Sequence, residues 1–255
     1  MKKFLMLVVL LVFPGGILPG PVWAGRFWEL PSLPSPEKYG DLLIDRLSSA
    51  NHVKPVYFSH WRHRTKFTCR VCHWELGFSF KAGQTEITES DNRNGQFCGA
   101  CHNGKIAFGH NEGNCQQCHS GEIAPDKEKF NLLRQGLQKD SFGNRINWAA
   151  AIIAERLNPV ASIYRADEKP MFYGKKLELK AEWANVPAAI FPHEVHSRLL
   201  DCSSCHPDIF SIKKKGTEHF QMNFILEGRF CGVCHLSVAF PMDDCHRCHP
   251  GIKMD

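Results

Sequence analysis

The stretch "CRVCH" (residues 69–73) sets two cysteines and a histidine within five positions. Its spacing returns as "CGACH" (98–102), "CQQCH" (115–119), "CSSCH" (202–206), "CGVCH" (231–235) and "CHRCH" (245–249). Together these pentapeptides use all twelve cysteines of the 255-residue chain. In Cys-x-x-Cys-His two thiols add across the vinyl groups of one haem, and the histidine that follows reaches the iron from the proximal side. The expected attachment thiols are Cys69 and Cys72, Cys98 and Cys101, Cys115 and Cys118, Cys202 and Cys205, Cys231 and Cys234, and Cys245 and Cys248. The proximal ligands would be His73, His102, His119, His206, His235 and His249, and the cofactors six covalently bound haem c groups. Zinc held by paired Cys-x-x-Cys units needs no histidine directly after each second cysteine. A disulfide framework accounts for an even cysteine count in an exported chain but for none of those histidines.

Export is itself expected. Lys2 and Lys3 precede an apolar run from Phe4 to Phe13, followed by small residues at Val22 and Ala24, so residues 1–24 read as a secretory signal peptide cleaved after Ala24. The run is shorter than the roughly 20 apolar residues that span a bilayer, and Pro and Gly break it. No later segment is apolar enough to cross, and no cysteine before Cys69 could carry a lipid, so the expected location is periplasmic or secreted. The formal charge of +5 becomes +3 without Lys2 and Lys3, and haem propionates would take it lower, so a nucleic-acid partner is not indicated. Lys213, Lys214 and Lys215 form the only tight basic run, read as a solvated loop.

Adding 133 to His60, His63, Cys69, Cys72, His73, Cys98, Cys101 and His102 lands on His193, His196, Cys202, Cys205, His206, Cys231, Cys234 and His235. Cys115 then matches Cys245, the second copy being three residues shorter there. A tandem repeat follows. The expected layout is a lead-in with a short helix (25–51), a three-haem unit (52–122), a connector with a helix (123–184) and a second three-haem unit (185–255). Helices are expected within "KYGDLLIDRLSSA" (38–50) and "SFGNRINWAAAIIAERL" (141–157), where apolar residues recur at helical spacing. The fold class expected is mainly irregular with short helices and little β structure, organised by haem.

Of fourteen histidines, those outside the motifs' last positions are His52, His60, His63, His110, His193, His196, His219 and His246. The F-x-H-x-x-H element before each unit, the three Cys-x-x-Cys-His motifs after it and the stretch "FCGACHNGKIAF" (97–108) resemble the cytochrome c7-type triheme domain, including multidomain cytochromes of metal-reducing bacteria. That resemblance implies distal ligation by His60 for the haem of Cys69 and Cys72, and by His63 for that of Cys98 and Cys101. His193 and His196 would serve Cys202 and Cys205, and Cys231 and Cys234, in the same way. For the third haem of the second unit it offers Met222, nine residues before Cys231, or His219. The first unit has Glu89 and Glu86 at those positions, which leaves His110, then His52, or an open iron. His246 reads as a loop residue, and Met242 as porphyrin packing.

Iron ligated on both faces offers no position for substrate, which points to outer-sphere electron transfer rather than catalysis. The expected partners are redox proteins, an inner-membrane donor and an outer-membrane or extracellular acceptor. Two alternatives stay open: a reductase acting at an open haem, and a self-assembling subunit of a haem filament.

Overall fold

Two short antiparallel hairpins deliver the chain into the helices that carry His-x-x-His. The computed structural model describes residues 30, 32–180, 185–210 and 221–253; the signal peptide and His219 lie outside them. In the first hairpin β1 (Asp41–Ile44) pairs with β2 (Val56–Ser59), Asp41 facing Ser59. Between them lies α1 (Arg46–Ala50). Val56, Tyr57 and Phe58 are β-branched or aromatic and suit a pleated surface. At Ser59 the strand gives way to α2 (His60–Arg64), whose spacing sets His60 and His63 on one face. Then come a π turn (Val71–Glu75), α3 (Glu89–Arg93), a 3-10 turn (Phe97–Ala100) and α4 (Cys115–Cys118).

The connector holds α5 (Lys127–Gln135) and α6 (Trp148–Ile153) and ends in β3 (Lys176–Leu179). The second repeat pairs β3 with β4 (Ala189–Pro192), continues into α7 (His193–Ser197) and a 3-10 turn (Cys202–Ser204), and ends with α8 (Met222–Leu226), α9 (Gly232–His235) and α10 (Cys245–Cys248). Strands β2 and β4, helices α2 and α7, and helices α3 and α8 sit at the offset of 133 seen in the sequence. The architecture is mainly irregular and helical, with two sheets of two strands.

Three local expectations need correction. Residues 41–44 of the first expected helix are a strand, because Leu42–Ile44 find partners in β2; only Arg46–Ala50 is helical. The second expected helix shrinks to Trp148–Ile153, bracketed by positive φ at Arg145 (59°) and Glu155 (54°), with the Asn147 side chain capping the Ala150 N–H. The longest helix among the described residues, α5, adds to the expected ones; Asp126 caps it, and Phe130, Leu133 and Leu137 follow at helical spacing.

Phe130 meets Trp61 and Ile146 in the one apolar cluster found among the described residues, with Leu133, Leu137 and Trp148 at its edge. The Trp61 and Phe130 rings meet edge on, 5.3 Å apart, which docks the connector on the back of α2. So small a core cannot order this much chain by itself, and a prosthetic group must supply apolar surface.

A second junction centres on Arg70, inside the first Cys-x-x-Cys-His. Its guanidinium donates to the Glu75 carboxylate (2.6 Å) and the Ala161 carbonyl (2.8 Å), and lies 3.5 Å from Asp201 and 3.7 Å from Glu168. Its main-chain N–H donates to Leu199 O at 2.9 Å. One buried cation thus binds the first repeat, the connector and the second repeat together.

Candidate haem-binding sites

In five of the motifs the histidine N–H donates to the carbonyl of the first cysteine: His102 to Cys98 (2.8 Å), His119 to Cys115 (2.9 Å), His206 to Cys202 (3.0 Å), His235 to Cys231 (3.0 Å) and His249 to Cys245 (2.8 Å). Such a helical turn turns both thiols and the imidazole toward one side. In the first motif Cys69 and Arg70 are α-helical and the chain then winds into a π turn, Leu76 N–H reaching Val71 O at 3.0 Å. No disulfide joins any of the cysteines. Burial pushes nine of the thiols up, Cys98 and Cys248 to about 11 and Cys72 and Cys234 to about 12.

The middle motif of each repeat needs glycine after its first cysteine. A Cβ on Gly99 would collide with the Asn92 carbonyl, and one on Gly232 with the Ile225 carbonyl. The preceding helix, α3 or α8, therefore lies directly on the haem-attachment turn.

Each histidine that closes a Cys-x-x-Cys-His motif donates its Nδ1–H to a main-chain carbonyl: His73 to Phe78 (2.9 Å), His102 to Phe108 (3.1 Å), His119 to Lys54 (2.7 Å), His206 to Phe210 (2.5 Å), His235 to Phe240 (3.0 Å) and His249 to Pro187 (2.7 Å). The His-x-x-His residues do likewise, His60 to Gly40 (2.5 Å), His63 to Ser59 (2.8 Å), His193 to Lys175 (3.0 Å) and His196 to Pro192 (2.9 Å). A ring tethered at Nδ1 presents Nε2 with its lone pair outward, the tautomer a metal requires. Burial also favours the neutral form of six of these rings: it drives His60 to about 3 and His235 to about 4, and lowers His63, His73, His102 and His196. His60 is further lowered by the Arg64 guanidinium and, less, by the imidazoles of His73 and His63.

The spacing of the rings tests whether iron would fit. The centroids of His63 and His102 are 6.3 Å apart, and those of His196 and His235 are 6.2 Å apart. Two imidazole–metal bonds of about 2.0–2.1 Å, with roughly 1.1 Å from each nitrogen to its ring centre, span about 6.3 Å. Both pairs therefore suit a single iron between them. Behind each pair one phenylalanine stacks on the His-x-x-His member, Phe58 on His63 and Phe191 on His196, both at 4.4 Å. It also meets the other histidine of the element edge on, Phe58 with His60 and Phe191 with His193, both at 4.8 Å. The F-x-H-x-x-H signature is thus one phenylalanine bracing two imidazole rings.

Candidates for the remaining positions separate less evenly. His110 has a buried Nε2 without a hydrogen-bond partner, the condition of a ligand ring, and lies close enough to His102 to lower its pKa further. His52 is exposed at a positive φ of 56°. No ring hydrogen bond of His52 or His246 occurs among the described residues. Met222 opens α8 at the position that Glu89 occupies in α3. Glu86 and Glu89 are held in ion pairs, Glu86 with Arg46 at 2.6 Å and Glu89 with Arg93 at 2.5 Å. Among the described residues no helix is long and apolar enough to cross a membrane.

Paired thiols, an adjoining tethered imidazole and a second imidazole across an iron-sized gap define a multihaem c-type cytochrome. The pattern of the family "Cytochrome c7 and related cytochrome c" matches residues 56–120 and 189–250. The chain belongs to that family, with c7-type domains in tandem; it binds haem c covalently and transfers electrons. Among solved structures it is similar to a c7-type three-heme cytochrome domain, at 36% identity over 31% of this chain and 91% of that chain, TM-score 0.27. It is also similar to the C-terminal hexaheme fragment of GSU1996, at 27% identity over 82% of this chain and 96% of that one, TM-score 0.28. The dodecaheme cytochrome c GSU1996 matches at 25% identity over 84% of this chain and 75% of that one, TM-score 0.28. No curated protein sequence matches.

Proposed function

We propose that the chain is an exported electron conduit holding six haems, three in residues 52–122 and three in residues 185–255. The observation that carries this reading is the ring pair at 6.3 Å in the first repeat and its twin at 6.2 Å in the second. Each bound haem iron would cycle between ferric and ferrous states, one electron at a time. His60 with His73, His63 with His102, His193 with His206 and His196 with His235 close both faces of four irons. His119 and His249 hold the proximal side of the other two. His110, its buried Nε2 otherwise unpartnered, serves the distal side in the first repeat. Met222 or His219 does so in the second, with His52 the reserve in the first. Ligation on both faces keeps substrate from the metal, so the exchange is outer-sphere and the protein works with redox partners in the periplasm or beyond the cell rather than as a reductase.

Haem and iron assay of the purified protein, with electron paramagnetic resonance of the oxidised form and the mass of its mature N-terminus, tests this directly. Six haems per chain, low-spin ferric signals throughout and a first residue at Gly25 are expected. Fewer than six haems would remove the count, and a high-spin signal would identify an open iron and revive catalysis. A retained leader would overturn export by cleavage.

A further inference from the structure

Arg64, the last residue of α2, has no counterpart in the second repeat, where Ser197 takes its place. Its guanidinium donates to the Val238 carbonyl at 3.0 Å and stacks over the Trp148 ring, 4.9 Å from its centre. Among the described residues no carboxylate lies within ion-pair distance of it. Its charge reaches Cys69, Tyr39, Asp41 and His60 in the first repeat and its lead-in, and Cys234 in the second.

Hydrogen bonds bring those two attachment sites together. Val238 and Ala239 each donate a main-chain N–H to the Cys234 carbonyl, at 3.0 and 2.9 Å. The Ala239 carbonyl accepts from Tyr39 Oη at 2.6 Å. Beside Tyr39, Gly40 holds His60 through its carbonyl and packs on Val238, so that a Cβ there would stand 3.8 Å from Val238 Cα. Two residues thus separate a ligand ring of the first haem from an attachment cysteine of the fifth. The motif of Cys115 and Cys118, nearest in chain order to the second repeat, is tied back to its own repeat through Lys54.

We propose that electrons cross between the repeats from the haem at Cys69 and Cys72 to the haem at Cys231 and Cys234, with Arg64 as the positioning charge that tunes both. This rests on the haem-conduit reading above. In the step, ferrous iron held by His60 and His73 becomes ferric and ferric iron held by His196 and His235 becomes ferrous; one electron moves and no proton is required. A cation beside both sites favours the reduced form of each, so these two haems should sit at matched, raised potentials. The two repeats are then joined through the first haem of one and the middle haem of the other, leaving the haem of Cys115 and Cys118 as a free end.

The test is a potentiometric titration of the holoprotein followed by haem-methyl NMR, which resolves the haems one by one. In Arg64→Gln the two named haems should shift together to lower potential, by about tenfold in ferrous-to-ferric ratio, or about 59 mV for one electron. The other haems should stay in place, and Arg64→Lys should keep most of the wild-type value. In the wild-type protein, the mutual redox interaction of the two should exceed that between the haem of Cys115 and Cys118 and the haem of Cys202 and Cys205. No shift, a shift at one haem only, or an equal shift at all of them would overturn the proposal. So would a wild-type interaction no larger than that of the chain-order neighbours, whether or not the variants fold. A haem count below six with these two present strikes the earlier reading and leaves the crossing standing.

Discussion

At position 70 the first repeat has an arginine that gathers Glu75, Glu168 and Asp201; at the matching position 203 the second has a serine, whose hydroxyl donates to Asp201 at 2.6 Å. Trp61, buried against Phe130, is matched by Glu194, paired with Arg198, and Arg64 is matched by Ser197. Other positions coincide. Gly99 and Gly232 face the same obstruction, Phe97 and Phe230 take positive φ (45° and 52°), and the carbonyls of Lys54 and Pro187 hold the last histidine of each repeat. The copies agree where the main chain must shape itself around a prosthetic group. They differ where side chains meet the connector or the other copy. A carbonyl can tether an imidazole whatever its side chain, so Lys and Pro exchange freely there, whereas an interface depends on side-chain chemistry.

This contrast can be broken most severely at Arg70. Arg70→Ala strands nearly buried Glu75 and its acidic neighbours and should destabilise the protein by about 3 kcal/mol, read by denaturant unfolding of the holoprotein. Ser203→Ala should cost far less. Burial alone would raise Glu75 and Asp201, but hydrogen bonds outweigh it: to Glu75 from Ser162, the Ile163 N–H and Arg70, and to Asp201 from Ser203 and Arg70. Both carboxyls end below their usual range. The stability they contribute is present above about pH 4 and lost as pH falls through their lower folded values. Arg70→Ala should therefore flatten the acid limb of the stability curve; an unchanged limb would show that the cluster does not couple the repeats.

Gly99→Ala and Gly232→Ala probe the shared frame. Each should cost about 1–3 kcal/mol, and by similar amounts, since each pushes α3 or α8 off the same turn. A large effect in one repeat and none in the other would show that the frames are not equivalent. The smallest effect is at the N-cap of α3, where Thr88 and Asp91 form a capping box that Gln221 does not provide for α8. Thr88→Ala should cost about 1 kcal/mol and Gln221→Ala nearly nothing, by thermal unfolding.

The parts readable in advance were those in which residue type and spacing carry the chemistry directly. Cys-x-x-Cys-His and His-x-x-His depend on thiols and imidazoles at fixed separations, and the offset of 133 carried them from one repeat to the other. Elements of four to six residues were less legible, because they hold too few turns or alternations for a period to show; Leu42–Ile44 suits a strand as well as a helix until Val56–Phe58 lies beside it. Helix α5 is legible in Phe130, Leu133 and Leu137 behind the capping Asp126. Arg70 could not be read, since its partners lie up to 131 positions away at Asp201 and only folding assembles them. The glycine of "CGACH" and "CGVCH" was visible as a letter, but its reason, a helix carbonyl pressed on the turn, is a fact of packing.

The carbonyl tethers at Nδ1 bear on speed as well as on geometry. An imidazole pinned to the main chain keeps its plane and reach when the iron beside it changes charge, so the ligand shell has little to rearrange. In the proposed conduit, reorganisation energy would then be low at each step, and modest differences in driving force would suffice to keep electrons hopping in either direction.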